Sequence, residues 1–483
     1  MAIDLRETFL EAEEFKKLGN DFYKEKKYED AIDCYTKAIE LDSNNAIYLA
    51  NRAMAYLKTE AYGYALADSS KAIELDPHYL KGYYRRASAN LALNKYKESL
   101  KDFQTITKLA PKNKVAKEKS KECEKIIRQI LFVEAISFDD CKKSVVDDIH
   151  LDSIKVEDSY LGPSLPSDGK VTEDFLKSLI SWFKDQKPLH KKFAFQIIIE
   201  ARKLFAGYES LVYVDIPENA VFNICGDTHG QFYDLLHIFE INGYPGPNNL
   251  YLFNGDFVDR GSFSYEVIFV LFSLKLLHPE YFFLSRGNHE TVSMNRMYGF
   301  AGEVKAKGTE LMLKLFHETF CCLPLAYVVE KKIFCVHGGL FSEDGVTLDD
   351  IRKINRFQEP PESGLMCDLL WSDPMPQNGR SPSKRGVGLH FGPDVTQQFL
   401  AHNQLEYIVR SHEVKDNGYE IAHDGKCITV FSAPNYCDQM GNKGAILTVT
   451  KNDLSPQFKT FTHVPHPDVK PMAYMNMGTM FEL

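Results

Sequence analysis

The sequence has no long apolar run, although 44% of its 483 residues are hydrophobic. No stretch approaches the roughly 20 consecutive apolar residues that a membrane span needs. The first ten residues carry two acids and one arginine, and they contain no apolar signal region. We therefore expect a protein of the cytoplasm, and of the nucleus as well.

Closely spaced cysteine pairs are also absent. The ten cysteines sit at irregular spacings without a CxxC pair, and several lie inside apolar runs. This usage is typical of reduced, buried thiols in a large intracellular chain. No cysteine is followed by an arginine six positions later, so the loop of the cysteine-based phosphatases is missing. A phosphocysteine mechanism is excluded.

The chain lacks an excess of basic residues, since its net charge is −10. Residues 1–136 carry 24 Lys and Arg against 22 Asp and Glu, or +2, and the remainder carries 33 against 45, or −12. Nucleic acid is disfavoured as the main partner, because binding to a phosphate backbone needs clustered positive charge. A chain of this length is expected to form two or three domains.

The front of the chain repeats itself with a period of 34 residues. Small residues recur where two helices must touch, and aromatic residues recur between them. The positions in phase are Gly19, Ala53 and Ala87; Tyr28, Tyr62 and Tyr96; and Leu41, Leu75 and Leu109.

This pattern resembles the tetratricopeptide repeat (TPR) family, in which each repeat is a helical hairpin that becomes stable by stacking on its neighbours. The predicted repeats cover 12–45, 46–79 and 80–113, after an extension over 1–11. A lysine-rich amphipathic helix over 114–136 is expected to cover the open end.

Such stacks form a groove lined by the first helix of each repeat. Cations and amides on those helices would suit the carboxylates at a peptide's C-terminus. The resemblance to chaperone-binding TPR proteins implies a carboxylate clamp for the acidic tail of heat-shock protein 90. The alternative is that these side chains are merely solvated. The clamp candidates are Lys16, Asn20, Asn51, Lys81 and Arg85.

Periodicity is lost between residues 137 and 170, where acids, serine, Gly162, Pro163 and Pro166 dominate. This composition predicts a linker. Short β-branched and aromatic runs then alternate with helical patterns over 171–465, which predicts an α/β domain followed by a tail over 466–483.

Five strand-like runs in this domain each deliver Asp, His or Asn at their C-terminal ends. The motifs are GDTHG (226–230), GDFVDRG (255–261), RGNHE (286–290), HGG (337–339) and RSHE (410–413). The carboxyl ends of strands are where α/β sheets place their sites. Asp, His and Asn are ligands for divalent metals, and two ions about 3.5–4 Å apart can activate water and clamp a phosphoryl group.

Together with SAPNY (432–436), these motifs resemble the phosphoprotein phosphatase family in their order and approximate spacing. The resemblance implies a multidomain protein, in which an all-α TPR superhelix precedes an α/β calcineurin-like metallophosphoesterase domain, a β-sandwich flanked by helices. It also implies a protein serine/threonine phosphatase that attacks phosphoserine and phosphothreonine directly with a metal-bound hydroxide.

The resemblance assigns six metal ligands. Asp227 and His229 would hold the first ion, and Asp256 would bridge both ions. The second ion would be completed by Asn288, His337 and His412. Manganese, iron and zinc all suit these ligands, with manganese expected in vitro.

The acid and the phosphate ligands follow from the same resemblance. His289 would protonate the departing oxygen, and Asp259 would orient His289. The substrate phosphate would be held by Arg260, Asn288, Arg385 and Tyr436.

Three of these roles have structural alternatives. Arg260 could form an internal ion pair, and Tyr436 could be a packing aromatic. Arg380 and Lys384 compete with Arg385 for the phosphate.

Tandem phosphatases of this design imply autoinhibition, in which the repeats cover the active site until a ligand displaces them. Glu60, in the turn inside the second repeat, stands where the family places an acid facing the site; the alternative is an exposed turn residue. Chaperone tails or fatty acids would be the releasing ligands.

Two other functions remain open from the sequence. A metallophosphoesterase acting on nucleotides shares the two-metal core, although the −12 charge of this part disfavours it. A TPR adaptor with an inactive phosphatase domain would be expected to have lost ligands, whereas all six are present.

Overall fold

A computed structural model describes residues 5–137 and 144–475 of the chain. The chain divides into two compact units, Met1–Lys143 with Pro382–Val387, and Ser144–Ser381 with Gly388–Leu483. Within the described residues, none of the helices combines the length and the apolar character needed to cross a membrane.

The first unit consists of helical hairpins, one for each predicted repeat, followed by a longer helix. Each hairpin begins and ends within its predicted repeat, except that the first helix starts earlier, inside the predicted extension. The predicted TPR fold is confirmed. The helices are α1 (Leu5–Lys24), α2 (Tyr28–Leu41), α3 (Ala46–Lys58), α4 (Tyr62–Leu75), α5 (Leu80–Ala92), α6 (Tyr96–Leu109) and α7 (Lys114–Ser137).

Close helix contact explains the small residues of the repeat. A Cβ atom added at Gly19 would lie 2.7 Å from a ring carbon of Tyr35, closer than packed atoms approach. The equivalent Ala53 and Ala87 are fully buried. A larger side chain at these positions would push the paired helices apart.

A polar network also follows the 34-residue period. The guanidinium of Arg52 donates twice to Asp68, at 2.7 and 2.8 Å. One repeat later, Arg86 donates twice to Asp102, at 2.9 and 2.8 Å. These bidentate pairs join the two helices of the second and third hairpins. The first hairpin has Leu18 and Cys34 at the equivalent positions.

The second unit contains three sheets. Strand order is β1-β5-β6-β10-β12-β11 in the first, β14-β13-β2-β3-β4 in the second and β7-β9-β8 in the third. The strands are β1 (Leu211–Val214), β2 (Val221–Cys225), β3 (Asn249–Phe253), β4 (Phe282–Leu284), β5 (Ala326–Val329), β6 (Ile333–Val336), β7 (Asp373–Pro374), β8 (Arg380–Pro382), β9 (Leu389–Phe391), β10 (Tyr407–Arg410), β11 (Tyr419–Ala422), β12 (Cys427–Val430), β13 (Gly444–Thr450) and β14 (Gln457–Phe461).

Helices cover the outer faces of the two larger sheets. One core lies between those sheets, with Phe222 and Leu252 from one sheet and Val329 and Val409 from the other. The predicted sandwich flanked by helices is confirmed. The helices are α8 (Glu173–Lys184), α9 (Lys191–Ala206), α10 (Phe232–Asn242), α11 (Ser264–Leu277), α12 (Val292–Tyr298), α13 (Phe300–Lys307), α14 (Glu310–Cys322), α15 (Leu348–Arg352), α16 (Leu365–Trp371) and α17 (Pro393–Asn403).

From Ser144 onward, the segment predicted as a linker over 137–170 packs on the second unit. The Glu318 carboxylate accepts hydrogen bonds from the Val145 amide at 2.7 Å and the Ser144 hydroxyl at 2.8 Å. Val146 and Leu151 pack against the helical core. Apolar residues scattered among acids anchor this segment, although their spacing has no regular period. Residues 138–143 lie outside the described part.

The segment predicted as a C-terminal tail covers residues 466–483. Its residues up to 475 pack on the second unit, where Val469 contacts the helical core. Residues 476–483 lie outside the described part.

Candidate active site

The candidate ligands gather at the carboxyl ends of neighbouring strands. Strands β2, β3 and β4 are parallel neighbours, and they lead into the loops of Asp227, Asp256 and Asn288. In the other sheet, β6 and β10 are parallel neighbours that lead into His337 and His412. Two sheets therefore deliver polar side chains to one place.

One cluster of potential metal-ligand atoms, called a donor cluster below, surrounds the His337 ring. Its Nε2 lies 2.9 Å from Asn288 Oδ1, 3.2 Å from His412 Nδ1 and 3.2 Å from Asp256 Oδ2. Its Nδ1 lies 2.8 Å from the Asn254 carbonyl oxygen, which can only accept a hydrogen. In the neutral ring this contact places the proton on Nδ1. The Nε2 lone pair then faces the other potential ligand atoms of the cluster.

A second cluster surrounds His229. Its Nε2 lies 3.6 Å from Asp227 Oδ2 and 3.6 Å from Asp256 Oδ2. Its Nδ1 lies 2.9 Å from the Val258 carbonyl, which again orients the Nε2 lone pair into the cluster. Asp256 belongs to both clusters, which is the geometry of a bridging carboxylate.

His289 lies in the cluster around His229 and is oriented by an acid. Its Nδ1 is 2.9 Å from Asp259 Oδ2. Asp259 also accepts hydrogen bonds from Asn295 Nδ2 at 3.0 Å and the Phe300 amide at 2.9 Å. Because Asp259 engages Nδ1, Nε2 of His289 is the nitrogen that can donate or accept a proton at the cluster. His289 lies there within reach of His229.

The charges of the clusters suit bound cations. Burial opposes ionisation of Asp256, but the imidazoles of His337, His289 and His229 outweigh it and lower its pKa. Burial also opposes charge on His337, yet Asp256 and Asp227 raise its pKa to about 9. Carboxylates that attract protons to a buried imidazole will attract a divalent cation in the same way. The residues therefore fit a divalent metal centre.

Burial lowers the pKa of His289, while Asp256 and Asp259 oppose that shift. A protonated His289 is consequently a stronger acid than an exposed histidine. This direction favours transfer of its proton to a departing group.

Unusual backbone angles bring the ligands together. The left-handed region is adopted by His229, Asp256 and His412, with φ of 40°, 54° and 71°. Such angles cost a non-glycine residue about 1–2 kcal/mol, and they concentrate at functional sites. A Cβ atom added at Gly287 would lie 2.2 Å from Asp256 Oδ1, so only glycine allows this approach.

The predicted phosphate ligands have different surroundings in the structure. The Arg260 guanidinium lies 3.7 Å from the centroid of the Tyr298 ring. The Tyr436 ring lies 5.2 Å from that of His229, and Asn288 lies in the cluster around His337. Arg385 lies in the segment that groups with the first unit, and its place relative to the metal ligands stays a prediction.

The rival cation Arg380 is already engaged. Its guanidinium forms an ion pair with Asp344 at 2.7 Å and donates to the Phe341 carbonyl at 2.7 Å. These bonds disfavour Arg380 as a phosphate ligand.

Sequence reasoning missed a supporting residue, Glu290. Its buried carboxylate accepts hydrogen bonds from the amides of Asp256, Phe257 and Gly287, each at 2.8 Å. It thereby ties the loop of the bridging aspartate to the loop of Asn288. The available signal was an acid at the end of RGNHE with no ligand role assigned to it.

In the first unit, the clamp candidates lie on α1, α3 and α5. Asn20 Oδ1 accepts from Asn51 Nδ2 at 3.2 Å, which brings the two amides together. Lys16 pairs with Glu13 at 2.6 Å. Lys81 is exposed on α5.

Arg85 is half-buried, and burial lowers its pKa. Within residues 5–137 and 144–475 it has no ion pair with an acid, and its Nε has no hydrogen-bond partner. Glu60 occupies the turn between α3 and α4 with φ of 59°.

Curated relatives match nearly the whole chain. It is 59% identical to serine/threonine-protein phosphatase 5 of Rattus norvegicus, over 97% of this chain and 94% of that protein. The chain belongs to the serine/threonine-protein phosphatase 5 family. The family extends to plants, since the protein of the same name from Solanum lycopersicum is 52% identical over 96% of each chain.

Models of the component families agree with this membership. The calcineurin-like phosphoesterase model matches residues 220–416, and TPR models match residues 19–60 and 80–113. A solved Saccharomyces cerevisiae serine/threonine phosphatase, described as similar to human phosphatase PP5, is 44% identical. It covers 63% of this chain and 100% of its own, with a TM-score of 0.61. Membership in the phosphatase 5 family confirms the predicted enzyme class.

Proposed function

We propose that the second unit hydrolyses phosphoserine and phosphothreonine in proteins at a centre of two divalent metal ions. The observation that carries this proposal is the pair of donor clusters sharing Asp256, with His289 and Asp259 beside them. Membership in a family of serine/threonine-protein phosphatases supports the substrate class.

The two clusters define which residues would hold the ions. Asp227, His229 and Asp256 suit the first ion, and Asp256 with Asn288, His337 and His412 suits the second. Manganese, iron and zinc each accept this mixture of carboxylate, imidazole and amide oxygen. When bound, the ions lower the pKa of water and offset the charge that develops on the phosphoryl oxygens.

The chain's own groups then supply orientation and a proton. Arg260, Arg385 and Tyr436 would bind the phosphate oxygens, and Asn288 would assist from the metal cluster. His289, oriented by Asp259, would donate its proton to the serine or threonine oxygen as the ester bond breaks. An alkoxide is a poor leaving group, so this proton is needed in the transition state.

Comparing substrates tests this function against the nucleotide alternative. We expect the metal-loaded chain to hydrolyse a phosphoserine peptide with much higher kcat/KM than a cyclic nucleotide. The opposite ranking would contradict the proposal and favour a nucleotide phosphoesterase. Failure to hydrolyse either substrate would favour an adaptor.

The TPR groove is proposed to bind an acidic C-terminal tail, such as that of heat-shock protein 90. The support is Arg85, a half-buried cation that no acid among the described residues neutralises. Lys81, one helical turn away, would add a second cation, and the joined Asn20 and Asn51 would supply amides. An acidic ligand would compete with Glu13 for Lys16.

Replacing Arg85 with alanine should weaken binding of an acidic-tailed peptide about 10- to 100-fold, because charge-assisted hydrogen bonds contribute about 1.5–3 kcal/mol each. Titration calorimetry with the full chain would measure this loss. Lys108→Ala on α6 is the matched control, since it removes an exposed cation from a second helix. Equal affinities for Arg85→Ala and the parent chain would reject the clamp.

We further propose that the repeats inhibit the catalytic unit, with Glu60 competing for the phosphate ligands. Removing residues 1–136 should then raise turnover of a phosphoserine peptide several-fold. Glu60→Gln in the full chain should reproduce part of the increase, whereas Glu74→Gln, an exposed acid on α4, should not. Unchanged turnover after the deletion would reject inhibition. Acidic chaperone tails or fatty acids are the proposed activators, and they should stimulate only the chain that retains its repeats.

A further inference from the structure

The loop that carries Arg260 forms hydrogen bonds with residues near the C-terminal end of the described chain. We call Val469–Tyr474 the C-terminal strap. The Met472 amide donates to the Arg260 carbonyl oxygen at 2.9 Å. The Ser262 hydroxyl donates to the Lys470 carbonyl at 2.6 Å and accepts from the Ala473 amide at 3.1 Å. Ser262 thus uses both its donor and an acceptor position on the strap.

The strap is itself anchored at both ends. Val469 packs against the helical core. At the other end, the Tyr474 ring centroid lies 5.4 Å from Lys307 Nζ.

Lys307 also fixes the loop. Its Nζ donates to the Ser262 carbonyl at 3.2 Å and pairs with the buried acids Glu266 and Glu303 at 2.7 and 2.8 Å. The strap and the loop therefore both contact Lys307, and their positions are coupled.

The backbone conformation of Arg260 explains why the hydrogen bonds from the strap matter. Its φ is 69°, and that of the preceding Asp259 is 72°, so two successive non-glycine residues lie in the left-handed region. Such residues keep this conformation where surrounding contacts over-determine it. The Arg260 amide donates to the Tyr298 carbonyl at 3.0 Å, and its own carbonyl is held by Met472.

We propose that the strap is a positioning element for Arg260 and that Ser262 is the residue through which it acts. Bonds on both sides of the Arg260 peptide fix the direction in which the guanidinium leaves the backbone. Displacing the strap would let the loop relax and would misplace the guanidinium relative to the phosphate. This inference rests on the proposed phosphate-binding role of Arg260.

Ser262→Ala in the full, metal-loaded chain tests the proposal. It removes both strap bonds of the hydroxyl and leaves every proposed metal ligand in place. We expect kcat/KM for a phosphoserine peptide to fall about tenfold, since small misplacements of a binding group have effects of this order or larger. The inhibition constant for inorganic phosphate should rise in parallel, with metal content unchanged.

A double-mutant cycle separates positioning from a general structural effect. If Ser262 acts through Arg260, then Ser262→Ala should cause little further loss of kcat/KM in a chain that already carries Arg260→Ala. A tenfold loss in both backgrounds would overturn the strap proposal while leaving the proposed function intact. If Arg260→Ala alone had no effect, the proposed phosphate site would fail, and the strap proposal with it.

Gly302→Ala provides an independent route to the same state. A Cβ atom at Gly302 would lie 2.0 Å from the Tyr474 carbonyl oxygen, so alanine must displace the strap while leaving Ser262 intact. Gly246→Ala is the matched control, because its Cβ would meet no atom within 4 Å. We expect Gly302→Ala to raise the phosphate inhibition constant as Ser262→Ala does, and Gly246→Ala to leave it unchanged. Unchanged phosphate inhibition in Gly302→Ala would overturn the proposal.

Discussion

Replacing His289 with alanine is expected to lower kcat for a phosphoserine peptide about 10²- to 10⁴-fold, the range of general acid catalysis. The imidazole lies beside the donor clusters and is oriented by Asp259 at 2.9 Å. Without it, the serine oxygen must leave as an alkoxide or take its proton from water. KM should change much less, because the proton is transferred in the transition state.

The leaving group provides the sharper measurement. A nitrophenolate departs without a proton, so His289→Ala should lose far less activity on p-nitrophenyl phosphate than on the phosphopeptide. The high-pH decline of kcat that reports loss of the acid's proton should also disappear in the variant. His402→Ala, an exposed residue of α17, is the matched control. Equal losses on the two substrates would contradict the acid role.

The second large effect is expected for Asp256→Asn. Asp256 belongs to both donor clusters, and its Oδ1 also accepts the His289 amide at 2.8 Å. A neutral amide retains the size of the side chain but removes the charge that would hold two cations together. Several kcal/mol of transition-state stabilisation would be lost, which corresponds to about 10³-fold or more in kcat.

Metal analysis of the same variant identifies the cause. Purified Asp256→Asn should bind fewer than two ions per chain, whereas Asp158→Asn, an exposed acid, should bind as many as the parent chain. A variant that kept full turnover and two ions would show that Asp256 does not bridge them.

The elements that the sequence predicted share a physical cause. Burial selects apolar residues at fixed intervals, so the period of 34 around Gly19 reveals the hairpins. Strand ends deliver polar residues to one edge of a sheet, so Asp227 and His337 could be related across more than a hundred residues of chain. Both signals are encoded in local order along the sequence.

Long-range hydrogen bonds have no such periodic signal. Glu290 accepts hydrogen bonds from three amides of two loops, and the Asn254 carbonyl orients His337. Neither role can be predicted from the residue type alone. Ser262 meets residues more than 200 positions later in the chain. Its partners are backbone atoms, which every sequence has. The segment from Ser144 onward has no periodic pattern because its anchoring depends on only a few apolar contacts and one acid, Glu318.

A manganese titration of the metal-free chain tests the central claim most directly. Turnover of a phosphoserine peptide would be measured as Mn²⁺ is added in known equivalents to protein stripped by a chelator. We predict no turnover without metal and a rise that reaches its plateau at two equivalents per chain. Full turnover by the metal-free protein, or a plateau at one equivalent, would contradict a centre in which two ions share Asp256.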